Sequence, residues 1–370
     1  MQDTSNSRRT FLKTSAAASV SLALGGQVSR ALAADGLTIG IVYVGAKDDY
    51  GWNMSHAVGI APLAKVPGVK IVQQERVPET KEVATAIESM IQQEGAKLIL
   101  GTSFGYFNPF MVDLAKKYPN VEFRHPTTLW SADKHPKNLG SYYSYMDQAH
   151  YVDGIAAGLS TKSNKIGFVC AKPIPLVLRN INSVRVALNK VNPKATLQVI
   201  FTGEWTLPVR EAEATNALID SGCDVILTHV DSPKVCIETA ERRGAKSCGH
   251  NVSQASIAPK GFITGGENKY ETIYKLYAEE LKKGRKLPNM LTGGFDKDMV
   301  QNTPFGAGAT EAARKAAAEA TADLKAGKPI FTGVHKDQSG KVVLDKTYGN
   351  YDPVLDQMNY MLEGVTGSLT

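Results

Sequence analysis

Residues 165–170, KIGFVC, decide the fold, because they restart a pattern that residues 38–44, TIGIVYV, begin. Each is an apolar run of strand length followed by windows with apolar residues at helical spacing. After the first run the spacing predicts a helix at 53–65, a strand at 69–76 and a helix at 79–93. Val83, Ala86, Ile87, Met90 and Ile91 share one face of that last helix. A strand at 97–101 (KLILG), a helix at 109–117 and a strand at 121–125 close the round. The second round predicts helices at 176–190, 210–221 and 234–243. They alternate with strands at 196–201, 224–228 (DVILT) and 245–249. Strands that read as continuous apolar runs between helices imply parallel sheets covered on both faces.

Two such rounds imply an α/β chain of two doubly wound parallel-sheet lobes. The expected boundaries are 34–147 plus about 262–300 for lobe 1, and 148–261 plus about 301–370 for lobe 2. The stretch from 261 onward offers a strand at 262–264, a helix at 270–283, a strand-like turn at 293–295 and helices at 311–325 and 353–363. These pieces complete both sheets if the chain crosses repeatedly between lobes. Such lobes enclose a cleft at the carboxyl ends of their strands, the layout of a hinged binder that closes on a ligand.

The N-terminus reads as an address rather than a part of the fold. Ser7-Arg8-Arg9-Thr10-Phe11-Leu12-Lys13 precedes an apolar run from Ala16 to Leu24 and a small-residue site at Ala31-Leu32-Ala33. That is the layout of a twin-arginine export signal spanning 1–33. The run is too short to span a bilayer, and no cysteine follows the site to take a lipid. The expectation is a periplasmic monomer without a membrane anchor, which crosses the membrane already folded. Removing 1–33 lowers the formal charge from +6 to +3, too balanced for a nucleic-acid binder. Cys170, Cys223, Cys236 and Cys248 fit no metal or redox spacing. They read as buried thiols, with one disulfide open to an oxidising compartment.

Chemistry is expected in the loops that follow the strands. The first, GAKDDYGWN at 45–53, is not G-x-G-x-x-G and offers a dinucleotide no cradle. It supplies Tyr50, Trp52 and Asn53. The third-strand loop supplies Ser103, Phe104 and Tyr106, and the second round supplies Trp205, Asp231 and Asn251. Glu267 and Asp296 lie at the expected crossovers, where a carboxylate faces the cleft or pins the hinge. Aromatic residues on both sides point to a flat ligand clamped between rings, with Trp52 or Tyr50 opposite Trp205. Asp and Asn would then read ring nitrogens and exocyclic amines. Asp231, just before Ser232-Pro233, could instead cap a helix, and His229 reads as a packed core residue. Neither an Asp-rich calcium loop nor a His/Cys metal spacing is present in the sequence, so neither a cofactor nor a metal is expected. Asp48-Asp49 with His56 is the cluster that invites an enzyme, such as a nucleoside hydrolase. Adjacent carboxylates in an extended loop point apart and share a proton poorly.

Taken in order, several segments resemble the basic membrane protein family. They are Ile41-Val42-Tyr43-Val44-Gly45 with Tyr50-Gly51-Trp52, Thr102-Ser103-Phe104-Gly105-Tyr106, Pro173-Ile174-Pro175, Trp205 with Glu211-Ala212, 217–226 (ALIDSGCDVI) and His229-Val230-Asp231-Ser232. These are substrate-binding components of ABC importers related to purine nucleoside receptors. The resemblance implies a type I periplasmic-binding-protein fold with a multi-crossover hinge, a purine base or nucleoside as ligand, and an ABC permease as partner. It also implies stacking positions at Trp52 (or Tyr50) and Trp205, and a polar contact at Asp231. Nucleoside-binding members hold the ribose with an acid in the third-strand loop, where this chain has Asn108. That difference favours a free base. The alternatives are another flat heterocycle such as a flavin, a small amide, a sensor role for the same ligand, or the hydrolase.

Overall fold

The computed structural model describes residues 36–369; the export signal read at 1–33 lies outside them. Five strands of the first round, β1 (Leu37–Val42), β2 (Val69–Gln74), β3 (Leu98–Gly101), β4 (Glu122–His125) and β5 (Leu139–Ser144), form one parallel sheet. A sixth strand, β11 (Met290–Gly293), joins it from far along the chain, giving the order β11-β5-β4-β3-β1-β2. The second sheet contains β6 (Lys165–Cys170), β7 (Thr196–Phe201), β8 (Val225–His229), β9 (Lys246–Asn251), β10 (Phe262–Asn268), β12 (Val300–Asn302) and β13 (Val365–Thr366). Its order is β12-β10-β9-β8-β6-β7-β13. All its pairings are parallel except β10 with β12. In each sheet the strand order reverses beside the first strand, between β1 and β3 and again between β6 and β8. Ligands sit at such switch points.

Helices α1 (Trp52–Ile60), α2 (Lys81–Gln92) and α3 (Val112–Lys117) cover the first sheet; α5 (Pro175–Val191), α6 (Pro208–Asp220) and α7 (Lys234–Arg242) cover the second. Pro62 ends α1 early, so the rest of the expected 53–65 helix is a 3₁₀ turn, Ala61–Lys65. The chain crosses between lobes at 144–147, 268–270 and 293–300. The architecture is the type I periplasmic-binding-protein fold: two doubly wound lobes and a multi-crossover hinge.

Placing the whole 262–300 stretch with the first lobe does not hold. β10 pairs with β9, and β12 pairs with β10, both in the second sheet. Helix α8 (Tyr270–Lys282) and β11 do return to the first lobe. Nor is the 353–363 segment a helix beyond a short turn, Leu355–Gln357. It is held open by α5, where Arg179 pairs with Asp356 at 2.6 Å and Asn182 donates to the Tyr360 carbonyl. Helix α4 (Asp147–Ser160) carries the first crossover into the second lobe and is buried almost all round. Helix α9 (Glu311–Lys325) is capped by Thr310, whose hydroxyl accepts from the Ala313 N–H. The four cysteines are buried and free.

Re-entry of the chain into the first sheet is fastened by one buried cation. Arg124 of β4, fully buried, pairs with Glu122 at 2.8 Å. It also donates to the carbonyls of Leu287 and Pro288, which lead into β11, and to those of Phe123 and Asn138. Removing one side of a buried pair costs roughly 3–5 kcal/mol. Arg124→Ala is therefore expected to lose unfolding free energy of that order in a urea titration. A loss under about 1 kcal/mol would show that the network does not hold β11.

Candidate functional site

A cavity of about 420 Å³ lies between the lobes at the carboxyl ends of the strands, inside the range of roughly 300–1,000 Å³ common for small-molecule sites. The first lobe lines it with Trp52, Glu79, Ser103, Phe104, Tyr142 and Tyr270, among others. The second lines it with Asn180, Trp205, His229, Asp231, His250 and Asn251.

Each side chain is placed by local bonding. Trp52 opens α1 and is fixed by its indole N–H, which donates to the Thr102 carbonyl at 2.7 Å. Edge-on contacts with His56 and Tyr270 hold it further. Phe104 is 66% exposed, a large apolar ring left for something to cover. Trp205 stands over His229, ring centres 6.1 Å apart. Asn251, at a positive φ of 71°, accepts from the Asn268 amide at 3.1 Å. Asp231 does not cap the helix: α7 starts after Pro233 without a side-chain cap, and the Asp231 carboxyl faces the cavity. Burial, then the charges of Asp49, Glu211 and Glu79, push this carboxyl up to about 8. Near neutral pH it is therefore largely protonated and can offer an O–H as well as an acceptor.

Other expected site residues serve elsewhere. Tyr50 is turned away, its ring under the Lys234 ammonium at 5.5 Å. Asn53 is buried as a loop staple, accepting from the Gly45 N–H and donating to Asp49. Tyr106 is buried and donates its hydroxyl to the Val77 carbonyl. Glu267 accepts from Gln301 across the β10–β12 pair, and Asp296 accepts from Tyr351 near the last crossover; neither lines the cavity. The Asp48-Asp49/His56 cluster does not line it either. The Asp49 carboxylate accepts from Gly51, Asn53 and Met54 at the start of α1, while His56 is buried against Tyr274.

Asn108 is exposed and outside the cavity, yet the third-strand loop does have a carboxylate. Glu79, from the β2–α2 loop, accepts from the Ser103 hydroxyl at 2.5 Å and the Gly105 N–H at 2.6 Å. It lines the cavity, which removes the sequence ground for preferring a free base. Glu79 is separated in sequence from the loop it serves, so only the β1–β3 pairing reveals it. His150, His229 and His250 also converge, all buried.

The lobes touch directly at the cavity's edge. The Trp52 backbone N–H donates to the Asp231 carbonyl at 2.8 Å, and the Ser232 hydroxyl donates to the Asp49 carbonyl at 2.7 Å. The Gln254 amide donates to the Tyr50 carbonyl at 2.8 Å. Gly51 permits this approach, since a Cβ there would stand 1.8 Å from the Asp231 carbonyl oxygen.

Residues 37–337 match a family profile described as ABC transporter substrate-binding protein PnrA-like. A purine-binding protein of Brucella abortus (strain 2308) is 32% identical over 336 residues, covering 90% of this chain and 94% of its own. A Haloferax volcanii protein, provisionally named an ABC transporter glucose-binding protein, is 30% identical over 259 residues, 69% of this chain and 63% of its own. A solved ABC transporter solute-binding protein of Conexibacter woesei superposes with a TM-score of 0.68 at 20% identity, over 79% of this chain and 97% of its own. That likeness concerns the fold.

The contact between lobes yields a direct test. Gly51→Ala should hold the lobes apart and weaken ligand binding by at least about tenfold, a loss of roughly 1.4 kcal/mol. The melting temperature of the ligand-free protein should barely move. Unchanged affinity would mean that the Gly51–Asp231 contact is not part of the bound state.

Proposed function

This chain belongs to the family of PnrA-like ABC transporter substrate-binding proteins, and we propose that it captures a purine base or nucleoside between its lobes and delivers it to an inner-membrane permease. The observation that carries the ligand reading is the pair Trp52 and Trp205, one from each lobe, on a single cavity that also holds the Asp231 carboxyl. Stacking on a nucleobase is worth roughly 1–3 kcal/mol per ring and tolerates any flat heterocycle. Discrimination then falls to polar edges, supplied by Asp231 and Asn251. Glu79, beside Ser103, is placed to take a ribose diol.

Among the described residues no helix is long and apolar enough to cross a membrane. We read the twin-arginine layout at 1–33 as the mark of an exported periplasmic protein, taken as an unanchored monomer with lobes that follow the two sheets. Closure is favoured by a ligand only to the extent that it binds the closed form better, which the direct contacts at Gly51 allow. The glucose-binding name of the Haloferax relative favours a second reading, a sugar on the same tryptophans.

The test is calorimetric titration of the ligand-stripped mature protein with adenine, guanine, xanthine, urate, adenosine, guanosine, riboflavin and glucose. Purines should bind and glucose should not. Trp205→Ala should weaken the best purine by roughly 1–3 kcal/mol. Glu79→Gln should weaken nucleosides by roughly 1.5–3 kcal/mol, the scale of a hydrogen bond to a charged group, and leave bases unchanged. Glucose binding with every purine silent would overturn the purine reading in favour of the sugar.

A further inference from the structure

We propose that His150, His229 and His250 form a three-histidine site for a divalent transition-metal ion in the wall of the ligand cavity. His229 ends β8, His250 is the penultimate residue of the adjacent parallel strand β9, and His150 projects from the first half of α4, which packs against β8 and β10. One ring nitrogen from each lies within 4.8 Å of the others, and all three residues are buried. His150 Nε2 and His250 Nδ1 share a hydrogen bond at 3.1 Å, which an ion bound between them would replace. Three nitrogens at about 2.0–2.1 Å from one tetrahedral ion stand roughly 3.3 Å apart. Nitrogens within 4.8 Å of one another are near that spacing, and an ion would draw the His229 ring inward to complete the set.

The supporting groups fit the same reading. A ligating histidine usually passes its other ring N–H to a carboxylate, a backbone carbonyl or water. His150 Nδ1 faces Asp153 at 3.4 Å, and that buried carboxyl is fixed by the Gly266 N–H and the Asn302 amide. The Asn180 side-chain NH2 lies 3.0 Å from His229 Nδ1; turning that amide over would set its oxygen against an Nδ1–H and leave Nε2 to the ion. Three nitrogen donors with a fourth position open suit zinc's tetrahedral preference. His229 and His250 line the cavity, so the fourth position faces it, available to water or to a donor atom of the bound ligand. An export route that carries folded chains would let the ion be inserted before export.

The experiment uses untagged mature protein, stripped of small molecules and of metal with a chelator. It is titrated with zinc chloride in a non-coordinating buffer with no purine present. One zinc per chain is expected, bound tightly enough to survive desalting. Asp153→Asn should weaken it by about 10–100-fold, and His229→Gln by at least as much, whereas His335→Gln, outside the cluster, should leave it unchanged. Cobalt(II) should give the intense visible absorption of a tetrahedral ion in the wild-type protein, a readout that requires no variant to fold. Substoichiometric zinc, a weak octahedral cobalt spectrum, or unchanged zinc affinity in a folded His229→Gln protein would overturn the site. Purine titration of the zinc-free protein is read separately, so this proposal can fail while the purine reading stands.

Discussion

The short contact between the Trp52 amide and the Asp231 carbonyl is the constraint on which the rest of the cleft depends. It brings a β1 loop of one lobe against a β8 loop of the other, and only a glycine at 51 leaves room for it. Two further bonds, from Ser232 to Asp49 and from Gln254 to Tyr50, lie along the same edge. Each is worth only about 0.5–1.5 kcal/mol net, so together they bias closure without locking it. A bound ligand can shift such an equilibrium, and an open form stays within reach.

Closure also explains why the cavity walls carry so many polar groups in a half-dry space. A carboxyl such as that of Asp231 is costly to desolvate without a partner, and a ligand with a matched donor or acceptor relieves that cost. The Asp231 carboxyl illustrates the balance. Pushed up to about 8, it is largely neutral near neutral pH and able to donate. The aromatic rings supply affinity for any flat molecule, and the polar edges decide which one.

The doubly wound lobes were legible because β1, β3, β6 and β8 are short apolar runs that a helix period cannot imitate. Strand β5, LGSYYS, hides behind serines and tyrosines, and α4 shows no polar face because it is buried by α5 and β10. For the site, the rule that strand-end loops face the cleft places Trp52, Ser103, Phe104, Trp205, Asp231 and Asn251 on the cavity. It gives no rule for side-chain direction, so Tyr50, Asn53 and Tyr106 went to structural bonds instead. Glu79 follows β2 but falls at the start of the helix expected at 79–93, and His150 lies on α4 away from any strand end, so only the fold brings them in.

The most direct measurement is a crystal structure of the mature protein grown with adenosine. The purine ring should lie between Trp52 and Trp205 with an edge on Asp231, and the Trp52 amide should still be bonded to the Asp231 carbonyl. A ring bound elsewhere, or lobes parted around it with that bond broken, would contradict that arrangement.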